Sequence, residues 1–177
     1  YLKLHAAAVS RGTAAIIMPG IPGAGKSTVG VILAKLLGRQ FRDTDLDIQQ
    51  REHATLQEIL DRRGYQALRT IEEEVLLEIE LDNAIISTGG SAVYSAASME
   101  RLQAAGPVVY LNADLQTLAP RVAATPNRGM ASNKEQSFAE VYAERTPLYA
   151  QHATHTVDAT AGSADDVAMT IASLLGE

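Results

Sequence analysis

The chain of 177 residues is the size of one domain, and its net charge of −6 argues against nucleic acid or an anionic membrane as the main partner. It contains no cysteine, which excludes disulfides, thiolate zinc sites and cysteine nucleophiles. No apolar run reaches the length of a membrane span. We therefore predict a single domain over residues 1–177 that works in the cytoplasm.

Apolar runs typical of strands alternate with helical patterns along the chain. The strands are predicted at 14–18, 41–43, 84–87, 108–111 and 154–157. The helices are predicted at 28–37, 46–52, 55–64, 66–82, 98–105, 114–123, 137–146 and 163–175. This alternation predicts an α/β fold of three layers, with a mostly five-stranded parallel sheet flanked by helices. Residues 1–12 form an N-terminal extension, in which 2–9 fit an edge strand or a short helix.

Two further segments carry expectations of their own. The helical pattern at 66–82 contains a run of glutamates, which we assign to its solvent-exposed faces. They are Glu72, Glu73, Glu74, Glu78 and Glu80. Residues 124–134 lack periodicity and are rich in loop-forming residues, so we predict a mobile loop there.

A phosphate-binding motif, Gly20-Ile21-Pro22-Gly23-Ala24-Gly25-Lys26-Ser27, follows the first predicted strand and precedes the first helix. Glycines let successive backbone N–H groups approach phosphate oxygens, and the helix N-terminus favours the same anion. Lys26 is expected to bridge the β- and γ-phosphates, and the Ser27 hydroxyl is expected to ligate Mg²⁺. The motif predicts a site for ATP and Mg²⁺.

Two more polar clusters follow the next predicted strands. Asp43 and Asp45 come at the end of the second strand, and Gly89-Gly90 comes after the third. In an open parallel sheet, ligands bind beyond the carboxyl ends of the strands. We therefore expect these clusters and the phosphate loop to share one edge of the sheet.

The ordered set of motifs resembles the shikimate kinases, which are P-loop kinases related to nucleoside-monophosphate kinases. The matching features are the 20–28 loop, Asp43-Thr44-Asp45, Leu68-Arg69-Thr70-Ile71-Glu72, Ser87-Thr88-Gly89-Gly90, Arg128 and Glu144-Arg145-Thr146-Pro147-Leu148-Tyr149. The resemblance runs from about Ile16 to the C-terminus. It implies a monomeric kinase that phosphorylates the 3-hydroxyl of shikimate with MgATP, a step of aromatic amino-acid biosynthesis.

The resemblance also implies residue roles on the nucleotide side. Gly23, Ala24, Gly25, Lys26, Ser27, Thr28, Arg121 and Arg128 would bind ATP. Asp43 would support Mg²⁺ together with Ser27. Segment 124–134 would act as a lid whose Arg128 reaches the phosphates during catalysis. For Arg121, an exposed helical arginine without such a role is an equal alternative.

On the acceptor side, the resemblance implies that Asp45 orients the attacking hydroxyl and that Gly89 and Gly90 let the backbone approach the acceptor ring. Arg69 and Arg145 would clamp its carboxylate, since a guanidinium fork matches a carboxylate. Local alternatives exist for each side chain. Asp45 is also suited to cap a helix, Arg69 to pair with a nearby glutamate, and Arg145 to lie on the surface in the last turn of a helix.

The sequence departs from the family pattern mainly around the acceptor and the lid. Ser91 stands where the family has a third glycine, and the lid reads Arg128-Gly129-Met130 where the family has Arg-Pro-Leu. A second hypothesis is therefore a related kinase for another hydroxy acid such as gluconate. A third is a ligand-sensing domain of a regulator that carries the same fold. A likeness of residues 4–9 to the entry of HPr-kinase-like domains has no support further along the chain.

Overall fold

The computed structural model describes residues 14–126 and 128–177. The strands are β1 Ile16–Met18, β2 Gln40–Asp43, β3 Ala84–Ser87, β4 Val109–Asn112 and β5 His155–Asp158. The helices are α1 Lys26–Leu37, α2 Thr44–Glu52, α3 Leu56–Glu78, α4 Ala96–Ala105, α5 Leu115–Ala123, α6 Phe138–His152 and α7 Ala164–Leu175. A short 3₁₀ turn, Ala92–Tyr94, lies between β3 and α4. The element predicted at 2–9 falls outside the described residues.

All strand pairs are parallel. β3 lies between β1 and β2, and β4 pairs with β5. An isolated parallel bridge between Ile17 and Val108 connects the two groups, giving the spatial order β2-β3-β1-β4-β5. The predicted α/β architecture with five parallel strands is confirmed. The strand ends also meet as predicted, since Asp43 on β2 is in register with Ser87 on β3.

The core forms where the apolar strands meet one face of each helix. Ile17, Ile85, Ile86 and Leu111 are fully buried within the sheet. Burial on both faces explains why these strands read as continuous apolar runs rather than as alternating patterns. Within the described ranges, we find no helix with the length and apolar content needed to cross a membrane.

Several helix boundaries differ from the predictions, and three of these differences affect the site. Helix α2 begins at Thr44 because Asp43 caps it, so Asp45 lies in its first turn. Helix α3 spans both predicted helices, with Gly64 at φ 81° interrupting the helical backbone. Helix α6 does not end before Pro147 but continues to His152. Consequently Arg145 lies in the middle of a helix, not in its last turn.

The assignment of Glu72 to a solvent-exposed face is wrong. Its side chain is only 3% exposed, because it shares the buried face of α3 with Leu68 and Val75. The Ser91 hydroxyl donates a hydrogen bond to Glu72 Oε2, while Oε1 has no hydrogen-bond partner among the described residues. Burial raises the pKa of Glu72 from 4.5 to about 7.

This raised pKa predicts how stability depends on pH. As the pH rises from 4.5 to about 7, the unfolded chain loses the Glu72 proton before the folded protein does, so the free energy of unfolding falls. Each unit of difference between the folded and unfolded pKa is worth about 1.4 kcal/mol. In Glu72→Gln, which cannot ionise, this part of the decline should be absent. Urea unfolding across the same pH window measures it.

Glu74→Gln is the matched control, because Glu74 lies on the exposed side of the same helix and pairs with Arg51 at the surface. It should keep the wild-type pH dependence. Identical pH profiles for Glu72→Gln and the wild type would contradict the prediction.

Candidate active site

The phosphate loop connects β1 to α1 in a conformation that requires glycine. Gly23 and Gly25 have φ values of 88° and 87°, in the left-handed region where a side chain would strain the backbone. Gly25 caps α1 without a side-chain hydrogen bond, so the N-terminal N–H groups of that helix remain available to an anion. Ala24 is buried beneath the loop, and Thr28 is exposed in the first turn of α1.

Lys26 lies inside the curve of this loop. Its side chain is 8% exposed and donates a hydrogen bond from Nζ to the Ile21 carbonyl oxygen at 3.1 Å. Burial lowers the pKa of Lys26 to about 8, although the nearby Asp45 carboxylate favours the charged form. The ammonium is therefore held ready for a phosphate, whose negative charge would restore its pKa.

Asp43 joins the phosphate loop to the second strand. Its Oδ2 accepts a hydrogen bond from the Ser27 hydroxyl at 2.7 Å, and its Oδ1 accepts one from the Asp45 backbone N–H at 3.0 Å. A hydroxyl and a carboxylate are the hard oxygen ligands that Mg²⁺ prefers, and Mg²⁺ commonly keeps several waters. Ser27 and Asp43 thus fit a hydrated Mg²⁺ ion beside the phosphates.

Asp45 lies two residues after Asp43, in the first turn of α2. It lines a cavity of about 620 Å³ that also contains Glu72, Gly89 and Arg145 in its wall. Burial, followed by the charge of Asp43, raises the pKa of Asp45 above its ordinary value. The alternative that Asp45 caps a helix is wrong, because the cap of α2 is Asp43.

Gly89 and Gly90 form the wall of this cavity next to α6. A Cβ added to Gly90 would lie 2.8 Å from Nη1 of Arg145. One added to Gly89 would lie closest to Oε1 of Glu72 and 2.9 Å from Oδ1 of Asp45. A side chain at either position would therefore displace these charged groups from the places they occupy here. Tyr149 fixes the segment by donating a hydrogen bond to the Gly90 carbonyl oxygen at 2.5 Å.

The two predicted clamp arginines point at the same oxygen atom. Arg145 donates from Nη2 to the Ala131 carbonyl oxygen at 2.7 Å, and Arg69 donates from Nε to that oxygen at 3.2 Å. Arg145 is only 1% exposed, so the alternative that it is a surface arginine is wrong. An oxygen held by two guanidinium groups marks a position that suits a carboxylate.

Two arginines from the nucleotide side lie near the same cavity. Arg128 is exposed, lies in the irregular segment between α5 and α6, and lines the cavity. Arg121 donates a hydrogen bond from Nη1 to the Gly23 carbonyl oxygen at 3.1 Å, so this exposed helical arginine touches the phosphate loop. Of the predicted site residues, Asp45, Gly89, Gly90, Arg128 and Arg145 line the cavity, whereas Arg69, Arg121 and the phosphate loop beyond Pro22 are not part of its wall.

Four residues at the site were not predicted from sequence motifs: Glu72, Tyr94, Ala131 and Tyr149. For Glu72 a signal was present, since it follows Leu68 by four residues and precedes Val75 by three, on the apolar stripe of its helix. Tyr149 is fully buried in the core, and its hydroxyl reaches the backbone of the site at Gly90. A backbone carbonyl such as that of Ala131 leaves no signal in a sequence.

Comparisons with known proteins agree on one family. The family model described as shikimate kinase matches residues 22–175. Shikimate kinase 2 of Sodalis glossinidius (strain morsitans) is 38% identical over 150 residues, which cover 82% of this chain and 86% of that protein. The solved structure described as shikimate kinase from Acinetobacter baumannii in complex with shikimate is 34% identical, with a TM-score of 0.84 over 94% of this chain and 96% of the other.

A gluconokinase structure from Sinorhizobium meliloti 1021 also matches, with a TM-score of 0.52 over 92% of this chain and 91% of the other. Its identity of 16% shows only a shared fold. The family model and the identity to curated relatives are far more specific. This chain therefore belongs to the shikimate kinase family of phosphotransferases.

Proposed function

We propose that this protein transfers the γ-phosphoryl group of ATP to the 3-hydroxyl of shikimate. The observation that carries the proposal is that Pro22 of the phosphate loop, Asp45 and Arg145 line one cavity, while Arg69 reaches the same wall through its hydrogen bond to the Ala131 carbonyl oxygen. The family membership supports it, as does the similarity to a kinase whose structure contains shikimate. Such a reaction would supply aromatic amino-acid biosynthesis.

The nucleotide would lie along the phosphate loop, with Gly23, Ala24, Gly25 and Thr28 contributing backbone or side-chain contacts to its phosphates. Lys26 would bridge the β- and γ-phosphates from its buried position. Ser27 and Asp43 would hold a hydrated Mg²⁺, which when bound neutralises charge on the phosphates. Arg121, which contacts the loop at Gly23, would border the nucleotide.

The acceptor would bind in the cavity with its carboxylate on Arg69 and Arg145 and its ring against Gly89 and Gly90. Asp45 would accept a hydrogen bond from the 3-hydroxyl and hold the oxygen in line with the γ-phosphorus. Phosphoryl transfer depends mainly on positioning and charge stabilisation, so orientation by Asp45 is its main contribution. The raised pKa of Asp45 also suits it to take up the hydroxyl proton.

Binding of the acceptor would favour closure of the lid, segment 124–134, over the site. In the structure, the Ala131 carbonyl oxygen accepts hydrogen bonds from both arginines, so a bound carboxylate would compete with it. Displacing this carbonyl would move the segment that also carries Arg128. Arg128 would then bring its positive charge to the transferring phosphoryl group and help to exclude water.

All the proposed contacts come from one copy of the chain, which supports a monomer. The substrates are small and anionic, which suits a cytoplasmic enzyme with no membrane or nucleic-acid partner. Gluconate phosphorylation is the second candidate, because Ser91 and Gly129 lie in the cavity wall where the family pattern changes.

A coupled assay of ADP release tests the acceptor directly. Shikimate, gluconate and quinate would be supplied separately with MgATP, and product would be identified by mass spectrometry. Turnover with shikimate well above that with the others supports the proposal. Turnover with gluconate and none with shikimate would replace it with the second candidate.

The role of Asp45 predicts that Asp45→Asn lowers kcat by a factor of about 10²–10⁴ while leaving the KM for ATP within about twofold. The amide keeps the size of the side chain, but it is neutral and carries a donor in place of one acceptor oxygen, so it orients the hydroxyl less strongly and cannot take up its proton. Asp47→Asn on the same helix is the control, since Asp47 pairs with Arg42. Full activity in Asp45→Asn would disprove the assigned role.

The role of Arg145 predicts that Arg145→Ala raises the KM for shikimate and leaves the KM for ATP nearly unchanged. Removing one partner of a buried charge pair costs about 2–5 kcal/mol, which corresponds to a rise of about 30-fold or more. Arg51→Ala is the control, because Arg51 pairs with Glu74 and Glu78 at the surface. Equal rises in both KM values would argue against a carboxylate clamp.

A further inference from the structure

The aromatic ring of Tyr94 lies against both clamp arginines. We propose that Tyr94 is a positioning residue that holds Arg69 and Arg145 in the arrangement required by the acceptor carboxylate. This inference rests on the proposed function and concerns the same site. Among the described residues, the cavity wall includes Arg145 but neither Tyr94 nor Arg69, so Tyr94 would act on the acceptor through its contacts with the arginine pair.

The first support comes from the position of the ring. The guanidinium carbon of Arg69 lies 3.9 Å from the centre of the Tyr94 ring, and that of Arg145 lies 5.3 Å from it. A cation within about 6 Å of an aromatic face is attracted by the ring quadrupole, and more strongly when it is desolvated. Arg145, at 1% exposure, is such a cation.

The ring therefore offsets part of the repulsion between the two guanidinium groups. Two guanidinium groups that share one acceptor oxygen repel each other, and the buried Arg145 gains little screening from water. One ring in contact with both cations favours their close approach. A second ring, that of Tyr65, lies 5.0 Å from the guanidinium carbon of Arg69 and adds to its restraint.

The Tyr94 hydroxyl supplies the second support. It accepts a hydrogen bond from Nε of Arg145 at 3.3 Å and donates one to Oε1 of Glu144. Burial raises the pKa of Tyr94, which keeps this donor protonated at neutral pH. The hydroxyl thus connects the buried Arg145 to a carboxylate that lies outside the cavity wall.

Glu144 is itself held in place on its other oxygen. Its Oε2 accepts a hydrogen bond from Nε2 of Gln136 at 2.8 Å. Hydrogen bonds from Tyr94 and then from Gln136 lower the pKa of Glu144, so it remains ionised. Arg145 therefore receives compensation for its charge through Tyr94, while its Nη2 atom is left to bind the oxygen at the clamp.

The third support is the turn that carries Tyr94. Tyr94 ends the short 3₁₀ turn that follows Gly89 and Gly90, and its backbone N–H donates to the Ser91 carbonyl oxygen at 3.0 Å. The same tight turn thus places two glycines against the acceptor space and an aromatic ring against the arginines. The position of Gly89 and Gly90 in the cavity wall is consequently linked to the position of the two clamp arginines.

Two substitutions separate the contributions of the ring and the hydroxyl. Tyr94→Phe keeps the ring but removes the link to Glu144, and we expect it to raise the KM for shikimate by about 3- to 10-fold. Tyr94→Leu removes both, and we expect a rise of about 30- to 100-fold. The KM for ATP should stay within about twofold in both variants.

A carboxamide analogue of shikimate, which is neutral, separates a loss of carboxylate binding from a general loss of structure, because a general loss of structure would affect both acceptors alike. If Tyr94 acts through the arginines on a carboxylate, the Tyr94→Leu substitution should change the KM of the neutral analogue far less than that of shikimate. In an Arg145→Ala background, Tyr94→Phe should add almost nothing, because its hydroxyl has lost the arginine it orients.

Tyr142→Phe is the matched control. Tyr142 lies on α6, one turn before Arg145, and its hydroxyl donates to the Ala113 carbonyl oxygen away from the clamp. It should leave both KM values unchanged. Thermal unfolding of every variant identifies those that fail to fold. If Tyr94→Leu does not fold, Tyr94→Phe, which keeps the ring, still tests the role of the hydroxyl.

The outcomes distinguish this inference from the proposed function. If the wild type phosphorylates shikimate and Tyr94→Phe and Tyr94→Leu leave its KM unchanged, the positioning role is disproved and the function stands. Equal losses for shikimate and its carboxamide would also disprove it. If the wild type does not phosphorylate shikimate, the proposed function itself fails.

Discussion

The site depends on the two hydrogen bonds accepted by Asp43. One comes from the Ser27 hydroxyl at 2.7 Å and the other from the Asp45 backbone N–H at 3.0 Å. The first fixes the phosphate loop, and the second fixes the first turn of α2, so a single carboxylate sets the separation between the nucleotide side and the acceptor side. In-line phosphoryl transfer requires that separation to be held closely, because a small displacement of the reacting atoms greatly lowers the rate. The parallel pairing of β2 with β3 then brings Gly89 and Gly90, which follow β3, to the same edge of the sheet as Asp43.

Burial of charge is the second constraint. Lys26, Glu72 and Arg145 are each less than a tenth exposed. Glu72 and Arg145 line the cavity, and Lys26 interacts with Asp45 in its wall. Isolated charges are costly in such surroundings, so each needs partners or a shifted pKa. Arg145 is compensated by hydrogen bonds. Burial lowers the pKa of Lys26 and raises that of Glu72, and both shifts favour the neutral form of the side chain. A ligand with two or three negative charges would favour the charged form of Lys26 and offset the cost of burying it. A phosphate site can therefore hold a buried lysine even though its burial lowers stability in the absence of ligand.

The arginine pair illustrates how local restraint prepares a site before a ligand arrives. The Ala131 carbonyl, the Tyr94 ring and the Tyr94 hydroxyl hold two like charges together in a geometry that a carboxylate would also satisfy. Because the guanidinium groups lose little freedom on binding, more of the interaction energy contributes to affinity. The contact with Ala131 also links segment 124–134 to the arginine pair, so a carboxylate bound there would compete with the Ala131 carbonyl for the same donors.

The sequence by itself determined the strand–helix alternation and the phosphate loop, because a buried parallel sheet and a glycine-rich anion site both impose local patterns at fixed spacing. Motif order was sufficient to indicate the family. Tertiary structure alone decided which polar residues face inward: Glu72 carries the same carboxylate as its exposed neighbour Glu74, and only the packing of α3 separates them. It also decided that α6 continues through Pro147, which places Arg145 in the interior. The contacts of Tyr94 and of the Ala131 carbonyl join residues from distant parts of the chain, and such contacts depend on how elements pack rather than on any local pattern.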